Sequence, residues 1–449
     1  MSTVESLFQQ ASAHLSRQDF AAAAGLLRAA LALHPDAAAV HANLAWALER
    51  GGDRAQAEPH YRRAIALDPC QPQTRLNLGA MLTAQRRLGE AEAIYLDALA
   101  LAPDSPAALS NYGMLLATAC REQEAETCYR QALALDPAYG KASFNLAYLL
   151  LRQGRWDEGW ARFEARDWTS VLQRHLNLPR WQGEPLAGKA ILVGIEAGHG
   201  DMIQFGRYCE QLRQRGAARV GVLCHPGLVE LFKGLRGADE AIGLDQALPA
   251  GFDVWAPALS LPFHFHTTVD AVPAALPYIA VDPGRTARLA PLVAAAPGEF
   301  KVGLVWKGNP RFENDRERSL PSLSVLAPLA GVDGVRFFSL QKGEEEAQHG
   351  AAGFPVTDLA PSIRDFADTA ALIQGLDLVI SVDTAVAHLA GALGKRCWLL
   401  LPAILTDWRW LTVRGDTPWY PGVMRLFRQR GGGWAEPVAE LAEALRALQ

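Results

Sequence analysis

The stretch "YRRAIALDPCQPQTRLNLGAMLTAQRRLGEAEAIYLDALALAP", residues 61–103, predicts the architecture of the first part of the chain. Its phrases "IALDP" and "LALAP" both end in a proline. These prolines belong to a series spaced 34 residues apart, namely Pro35, Pro69, Pro103 and Pro137. A period of this length is typical of helix–turn–helix solenoids. Two alanine columns share the period and mark close helix contacts: Ala23, Ala57, Ala91 and Ala125, and Ala30, Ala64, Ala98 and Ala132.

An asparagine recurs in the same register, at Asn43, Asn77, Asn111 and Asn145. Inside a helix asparagine costs about 0.6 kcal/mol relative to alanine, so four copies indicate a compensating role. An amide both donates and accepts hydrogen bonds and can therefore hold the backbone of an extended peptide. The inner face of a solenoid is available for such binding. Alternatively, each asparagine is a structural bracket between one helix and the next turn.

Composition restricts the classes of partner. The formal net charge is −5 and no basic run is present, which argues against nucleic acid or an anionic membrane as the main partner. No apolar stretch reaches the roughly 20 residues of a membrane span, and "MSTVESLFQQ" lacks the features of a secretory signal. The six cysteines form no CxxC pair and no zinc spacing, so reduced thiols and a cytoplasmic location are expected.

The rest of the chain alternates short apolar runs with helical segments, which predicts parallel sheets. The predicted fold class is α/β, with an N-terminal all-α solenoid followed by two Rossmann-like sheets that leave a ligand cleft at the carboxyl ends of their strands. The predicted domains are the solenoid at 1–168, a linker at 169–188, a first sheet domain at 189–283 and a second sheet domain with a closing helix at 284–449.

The first candidate site follows the strand "AILVGI", in the glycine-rich turn "EAGHGD". Gly200 allows the backbone to approach a ligand closely. Asp201 can accept a proton from an attacking hydroxyl, or it can serve only as a helix cap. Glu196 and His199 are alternative bases, and the sequence does not rank the three. The glycine spacing does not match a dinucleotide fingerprint.

The second candidate site follows the strand "KVGLVWKG", which delivers Lys307 and Asn309 to the mouth of the cleft. A fixed cation there suits a departing diphosphate, because negative charge develops on the leaving nucleotide. Lys307 is the best candidate. Arg316 and Arg318 follow on a polar stretch, where the alternative to ligand binding is a solvated loop paired with Asp315.

The third candidate site is "SVDTAVAHLAGA", in which a buried strand runs directly into Asp383 and Thr384 at the start of a helix. Backbone N–H groups at the start, from Ala385 among others, attract phosphate, aided by the helix dipole. Asp383 can hold a ribose hydroxyl or order the loop, and Thr384 can donate to a phosphate oxygen. His388 lies one turn further on the same face and is either a ligand-binding or a core residue.

These stretches resemble known families. The repeats resemble tetratricopeptide repeats, and their asparagine ladder is similar to that of the O-linked N-acetylglucosamine transferases, which hold protein substrates with it. Residues 185–445 resemble GT-B glycosyltransferases of the heptosyltransferase branch. The resemblance implies that Asp201 is the acceptor base, that Lys307 matches a lysine of those enzymes, and that Asp383, Thr384 and His388 match their phosphate loop. Ala385 and Ala387 replace the glycine and serine of that loop.

Taken together, the sequence predicts a glycosyltransferase that moves a sugar from a nucleotide-sugar to a hydroxyl of a protein acceptor held by the repeats. The resemblance implies a transferase without a bound metal or other cofactor, and the chain has no D-x-D triplet. The alternative is a non-catalytic repeat scaffold carrying a degenerate glycosyltransferase fold. The replaced residues of the loop favour this alternative slightly, whereas the retained Asp201, Lys307, Asp383 and His388 favour the enzyme more.

Overall fold

A computed structural model of the protein describes residues 3–312, 314–343, 350 and 352–448. The chain divides into two compact units, Met1–Leu149 and Leu150–Gln449. No helix in the described part of the chain is both long and apolar enough to cross a membrane. The helices up to the boundary are α1 (Thr3–Ser16), α2 (Phe20–Leu33), α3 (Ala38–Arg50), α4 (Arg54–Leu67), α5 (Pro72–Ala84), α6 (Leu88–Leu101), α7 (Pro106–Thr118), α8 (Glu122–Leu135) and α9 (Gly140–Arg152).

Local sequence signals set the ends of these helices. The side chain of Asp19 accepts a hydrogen bond from the N–H of Ala22 at the start of α2, and Asp53 does the same for α4. Pro72 begins α5, where its fixed φ suits the first helical turn and its missing N–H is not needed. The recurring prolines lie in the turns after α2, α4, α6 and α8, as predicted.

The alanine columns lie in the core of the repeats, as predicted. All eight alanines are buried, with at most 3% of any one exposed. Bulk between them comes from tyrosines, and a glycine provides the space for two of the rings, those of Tyr95 and Tyr129. A Cβ on Gly79 would lie 2.7 Å from the ring of Tyr95, and one on Gly113 would lie 2.6 Å from the ring of Tyr129. The 34-residue pattern therefore records a repeated packing contact.

The second unit contains two parallel sheets, which confirms the predicted fold class. The first sheet has the order β3-β2-β1-β4, and the second has the order β10-β9-β8-β5-β6-β7, which is the Rossmann order 3-2-1-4-5-6 counted from β5. The strands are β1 (Ala190–Gly194), β2 (Arg219–Cys224), β3 (Glu240–Gly243), β4 (Val254–Pro257), β5 (Phe300–Val305), β6 (Val335–Ser339), β7 (Val356–Asp358), β8 (Leu378–Val382), β9 (Cys397–Leu401) and β10 (Met424–Arg428).

Helices cover and connect these strands. The longest, α20, closes the second sheet as predicted, and two short helices, α12 and α13, follow β1. The helices are α10 (Trp156–Phe163), α11 (Thr169–Leu176), α12 (His199–Phe205), α13 (Tyr208–Gln214), α14 (Val229–Phe232), α15 (Leu261–His264), α16 (Pro283–Leu289), α17 (Asp315–Arg318), α18 (Phe366–Gln374), α19 (Ala385–Ala392) and α20 (Ala435–Arg446).

The segment that precedes β1, from Leu150 onward, belongs to the second unit and packs within it. Trp156 stacks on Trp419 with ring centroids 5.2 Å apart, and Trp160 meets Trp408 edge-on at 5.1 Å. Residues 169–188 are predicted to be a linker, but the structure has α11 and a buried tryptophan, Trp181, in this range. The backbone N–H of Trp181 donates to the carbonyl of Trp255 in β4 at 2.8 Å. The aromatic helix α10 thus packs against the loop that follows β9.

Candidate functional site

The loops at the carboxyl ends of the two sheets contact each other. The region of this contact is termed the crevice. The turn after β1 carries Asp201, in the first turns of α12. Its Oδ2 accepts a hydrogen bond from the N–H of Gly198 at 2.7 Å, so Asp201 caps α12 from the third position of the helix, whereas the N-cap residue itself is Gly198. Its Oδ1 pairs with the guanidinium of Arg409. Burial raises the pKa of Asp201, and the charge of Arg409 opposes that rise.

The two alternative bases occupy different environments. Glu196 is buried and forms an ion pair with the equally buried Arg166, while Trp168 Nε1 donates to it at 2.7 Å. The carboxylate of Glu196 therefore has a structural role and is not the catalytic base we propose. His199 is stacked between the rings of His225 at 4.2 Å and Phe366 at 5.1 Å. Burial, with the charge of His225, lowers the pKa of His199 to about 4 and keeps its ring neutral near pH 7.

Lys307 follows β5 and is held through its backbone. The Oε1 atom of Gln341 accepts hydrogen bonds from the N–H groups of Trp306 at 3.1 Å and of Lys307 at 3.0 Å. The ammonium of Lys307 makes no ion pair with any residue that the structure describes. Because β5 pairs directly with β8, this lysine leaves the sheet beside the loop that carries Asp383.

The polar stretch after Lys307 begins with a turn, and further along it Arg318 pairs with Asp315. Asn309 is exposed, and its Oδ1 accepts from the N–H of Arg311 at 3.0 Å, which forms a local turn. Arg318 donates to Asp315 Oδ1 at 3.1 Å and lies over the ring of Phe312 at 4.4 Å. The pairing with Asp315 is the structural alternative that the sequence left open.

Thr384 caps the start of α19 in extended conformation, with φ at −141°. Its Oγ1 lies 3.0 Å from Ser381 Oγ. The first N–H groups of a helix have no acceptor within it, and among the described residues those of Ala385 and Val386 have none, so they remain available to a bound anion. The N–H groups of Ala387 and His388 donate to the carbonyl of Thr384 at 3.1 and 3.4 Å. Beside them, burial and then the charge of Asp407 raise the pKa of Asp383 to about 6.

Gly200 packs directly against this helix start. A Cβ at Gly200 would lie 2.9 Å from His388 Cδ2 and 3.4 Å from Ala385 Cα. Only glycine allows the turn after β1 to come this close to α19. A ligand that reaches the N–H of Ala385 therefore approaches from the side of Thr384 or displaces this contact.

His388 is a buried, neutral member of the crevice. Its Nδ1 lies 2.9 Å from the hydroxyl of Tyr420, its Nε2 lies 4.0 Å from Asp383 Oδ1, and its ring stacks on Trp410 at 5.2 Å. Burial, followed by the charge of Arg409, lowers the pKa of His388 well below its ordinary value. A neutral imidazole keeps one donor and one acceptor nitrogen.

Arg409 is the site residue that the sequence reasoning missed. It lies in the loop after β9, donates from Nε to Gln204 Oε1 at 2.5 Å and from Nη1 to Asp407 Oδ1 at 2.9 Å, and reaches Asp201 with Nη2. The side chain is only 7% exposed. The local sequence "TDWRW" contains the signal, because a charged residue enclosed by tryptophans requires a buried partner.

The asparagine ladder lies in the first unit and is partly exposed. Asn43 Nδ2 donates to the carbonyl of Ala39 at 2.8 Å, and Asn77 Oδ1 accepts from Gln73 at 2.9 Å, both within their own helices. Asn145 reaches Ser110 on another helix at 3.4 Å. Asn111 has no hydrogen-bond partner among the described residues. The bracket interpretation therefore describes one of the four positions.

A groove of about 560 Å³ opens at the carboxyl ends of β1 and β4, beneath α11. Its lining is mostly apolar, with Glu196 and Ala197 at one side, and it includes the partly exposed ring of Trp168. Ala197 precedes Asp201 by four residues in the sequence. Among the described residues no group of three or more histidines, cysteines or carboxylates is placed to hold a metal ion.

Segments in both parts of the chain match protein-family models. Residues 327–398 match glycosyltransferase family 9 (heptosyltransferase). Residues 8–72, 71–138 and 128–161 each match a tetratricopeptide repeat model. The predicted combination of tetratricopeptide repeats with a heptosyltransferase-like glycosyltransferase domain is thereby confirmed.

Individual proteins similar to this chain include Protein FlbA of Caulobacter vibrioides, which is 28% identical over 338 residues. The match covers 68% of this chain and 54% of that relative, so the chain spans about half of its length. Among solved structures, a glycosyl transferase family 9 protein from Veillonella parvula is 13% identical, with a TM-score of 0.46, over 59% of this chain and 99% of the other. PilF of Pseudomonas aeruginosa is 24% identical, with a TM-score of 0.34, over 38% of this chain and 80% of the other.

Proposed function

We propose that this chain, which joins tetratricopeptide repeats to a glycosyltransferase family 9 domain, transfers a sugar from a nucleotide-sugar to a hydroxyl group of a protein acceptor. The observation that carries the proposal is the contact of Gly200 with Ala385 and His388, which brings the turn bearing Asp201 onto the start of α19. A proton acceptor and an anion-attracting helix start thus face the same crevice.

In the proposed reaction the acceptor oxygen forms a bond to the anomeric carbon of the donor. The bond from that carbon to the phosphate oxygen breaks, and the nucleotide leaves with the electron pair. Asp201 takes the proton of the hydroxyl. Lys307 and the N–H groups after Thr384 stabilise the charge on the departing phosphate, and Asp383 or His388 fixes the nucleotide. The chemistry is proposed to need no metal ion.

The acceptor is proposed to be a polypeptide. Tetratricopeptide repeats form solenoids suited to binding other proteins. The amide of Asn111 and the exposed faces of Asn43 and Asn77 offer donors and acceptors to a peptide backbone. The mostly apolar groove beneath α11, which Glu196 and Ala197 line, is proposed as a further contact for the acceptor.

Turnover of a panel of nucleotide-sugars by the full-length protein, followed by chromatography of the released nucleotide, tests the reaction. Asp201→Asn is expected to slow turnover of the preferred donor by about 100-fold or more. Lys307→Met is expected to slow it by about 100-fold to 1000-fold. Lys233→Met removes a cation that is 64% exposed and pairs with Glu230, and it is the matched control. Equal turnover in wild type and both site variants would contradict the proposal.

Binding of the acceptor by the ladder has a separate test. The double variant Asn77→Ala, Asn111→Ala is expected to keep its helical circular dichroism and to bind the acceptor protein more weakly. Gln123→Ala, an exposed substitution on α8, is the control. Unchanged affinity in the double variant would leave the asparagines with a bracket role only.

A further inference from the structure

The contact between Asp201 and Arg409 joins the loops of the two sheets. Arg409 belongs to the loop after β9, whereas Asp201 belongs to the turn after β1. Both oxygens of this carboxylate are engaged, since Gly198 N–H holds Oδ2 and Arg409 holds Oδ1. These two contacts fix the plane of the carboxylate, and each oxygen retains a further lone pair for an acceptor hydroxyl.

Arg409 is itself held rigidly. Its guanidinium lies over the ring of Trp408 at 4.4 Å and near the ring of Phe205 at 5.5 Å. Gln204 and Asp407 accept its other N–H groups. A planar fork with five donors can satisfy these acceptors together, and a lysine ammonium cannot reproduce that geometry. The direction of the bond to Asp201 is therefore determined by the surroundings of Arg409.

Burial and the charge of Arg409 have opposite effects on the pKa of Asp201. Burial favours the protonated carboxyl, which cannot accept a proton, and the adjacent guanidinium favours the ionised form. An opposite charge in contact shifts a carboxyl pKa downward by about 1–3 units. Without Arg409 the carboxylate in this partly buried position would be protonated over a wider pH range.

We propose that Arg409 is a positioning residue, which orients Asp201 in the crevice and keeps it ionised so that it can accept the proton of the acceptor hydroxyl. The proposal rests on the function proposed above, since it assigns a role in that reaction. Arg409 does not touch the reacting atoms in this role and acts through Asp201.

The first test needs no turnover. Carbon-13 labelling of aspartate carboxyls, with Asp201 assigned from the signal missing in Asp201→Asn, allows its titration to be followed by NMR. Arg409→Gln is expected to raise the pKa of Asp201 by about 1–3 units. Arg409→Lys keeps the positive charge and is expected to raise this pKa by less. The lysine variant is used if Arg409→Gln does not fold. Arg414→Gln removes an arginine of the same loop that pairs with Asp416, and no change is expected. An unchanged pKa in Arg409→Gln would overturn the proposal.

The second test uses the pH profile of kcat/KM for the preferred donor. Because the ionised carboxylate is the active form, removal of the cation is expected to move the acidic limb to higher pH and to lower kcat more than it raises KM. Partial recovery in Arg409→Lys is expected. A lower rate with an unmoved acidic limb would indicate a merely structural role. If the wild type turns over no donor while the NMR titration shifts as expected, the proposed function fails and the control of Asp201 ionisation stands.

Discussion

The ionised carboxylate of Asp383, a residue of the candidate site, is expected to lower the free energy of unfolding. Its pKa in the folded protein is about 6, compared with an ordinary value of 3.8, chiefly because burial disfavours the charged form. A raised pKa stabilises the fold at low pH, and this stability is lost as pH rises through the folded-state value. At about 1.36 kcal/mol per unit, the ionised carboxylate costs about 3 kcal/mol above pH 7. Asp383→Asn removes the charge and is expected to stabilise the protein.

The expected gain depends on pH. At pH 8 the whole of about 3 kcal/mol is recovered, which corresponds to a rise in Tm of roughly 6 °C for a unit of this size. Near pH 5 about half of the gain remains, because the wild-type carboxyl is then largely protonated. Intrinsic fluorescence monitors the correct unit, since Trp46 is the one tryptophan of the sequence before Leu150.

Asp416→Asn is the control. This carboxylate is 56% exposed, and its hydrogen bond with Arg414 lowers its pKa. Neutralising it is therefore expected to give no gain in Tm at pH 8. The reasoning would be refuted if Asp383→Asn lowered Tm at pH 8 as much as at pH 5, because the carboxylate would then be held by contacts that stabilise the fold.

Two further substitutions test the packing of the units. Asp368 is fully buried, and its carboxylate accepts a hydrogen bond from Arg285 at 2.9 Å. Burial alone would raise the pKa of Asp368, but the hydrogen bonds from its arginine neighbours outweigh burial, so its pKa is lowered. Asp368→Ala should cost about 3–5 kcal/mol in urea unfolding at pH 7, and the difference from wild type should shrink as pH falls below about 4; a constant difference would contradict this. Gly79→Ala, which forces a Cβ against Tyr95, should destabilise the repeats by about 1–3 kcal/mol. Gly25→Ala, which meets open space, should be neutral or stabilising, and equal effects in thermal unfolding would refute the packing argument.

Much of the fold is predictable because it depends on local, repeated contacts. The proline and alanine columns recur every 34 residues and lie where the sequence places them. Strands buried on both faces, such as β1 and β8, appear as continuous apolar runs. The edge strands β3 and β7 were missed, because they have four and three residues and are not fully buried.

The candidate site was only partly predictable, since its residues are paired over long distances in sequence. Glu196 was an equal candidate for the base until the structure placed it against Arg166, 30 residues away. The partner of Asp201 lies 208 residues further along the chain and extends from a tryptophan-rich loop. No local spacing records such a pairing. The roles of Lys307 and Thr384 remain predictions that binding experiments must test.

Calorimetry with UDP, GDP, ADP and CMP measures whether the crevice is a nucleotide site. Full-length protein is expected to bind at least one of these nucleotides, and Asp383→Asn is expected to bind it at least about tenfold more weakly while its Tm rises. Arg414→Gln is expected to bind as the wild type does. Absence of heat with all four nucleotides, from protein whose unfolding transition is intact, would show that the crevice does not bind them.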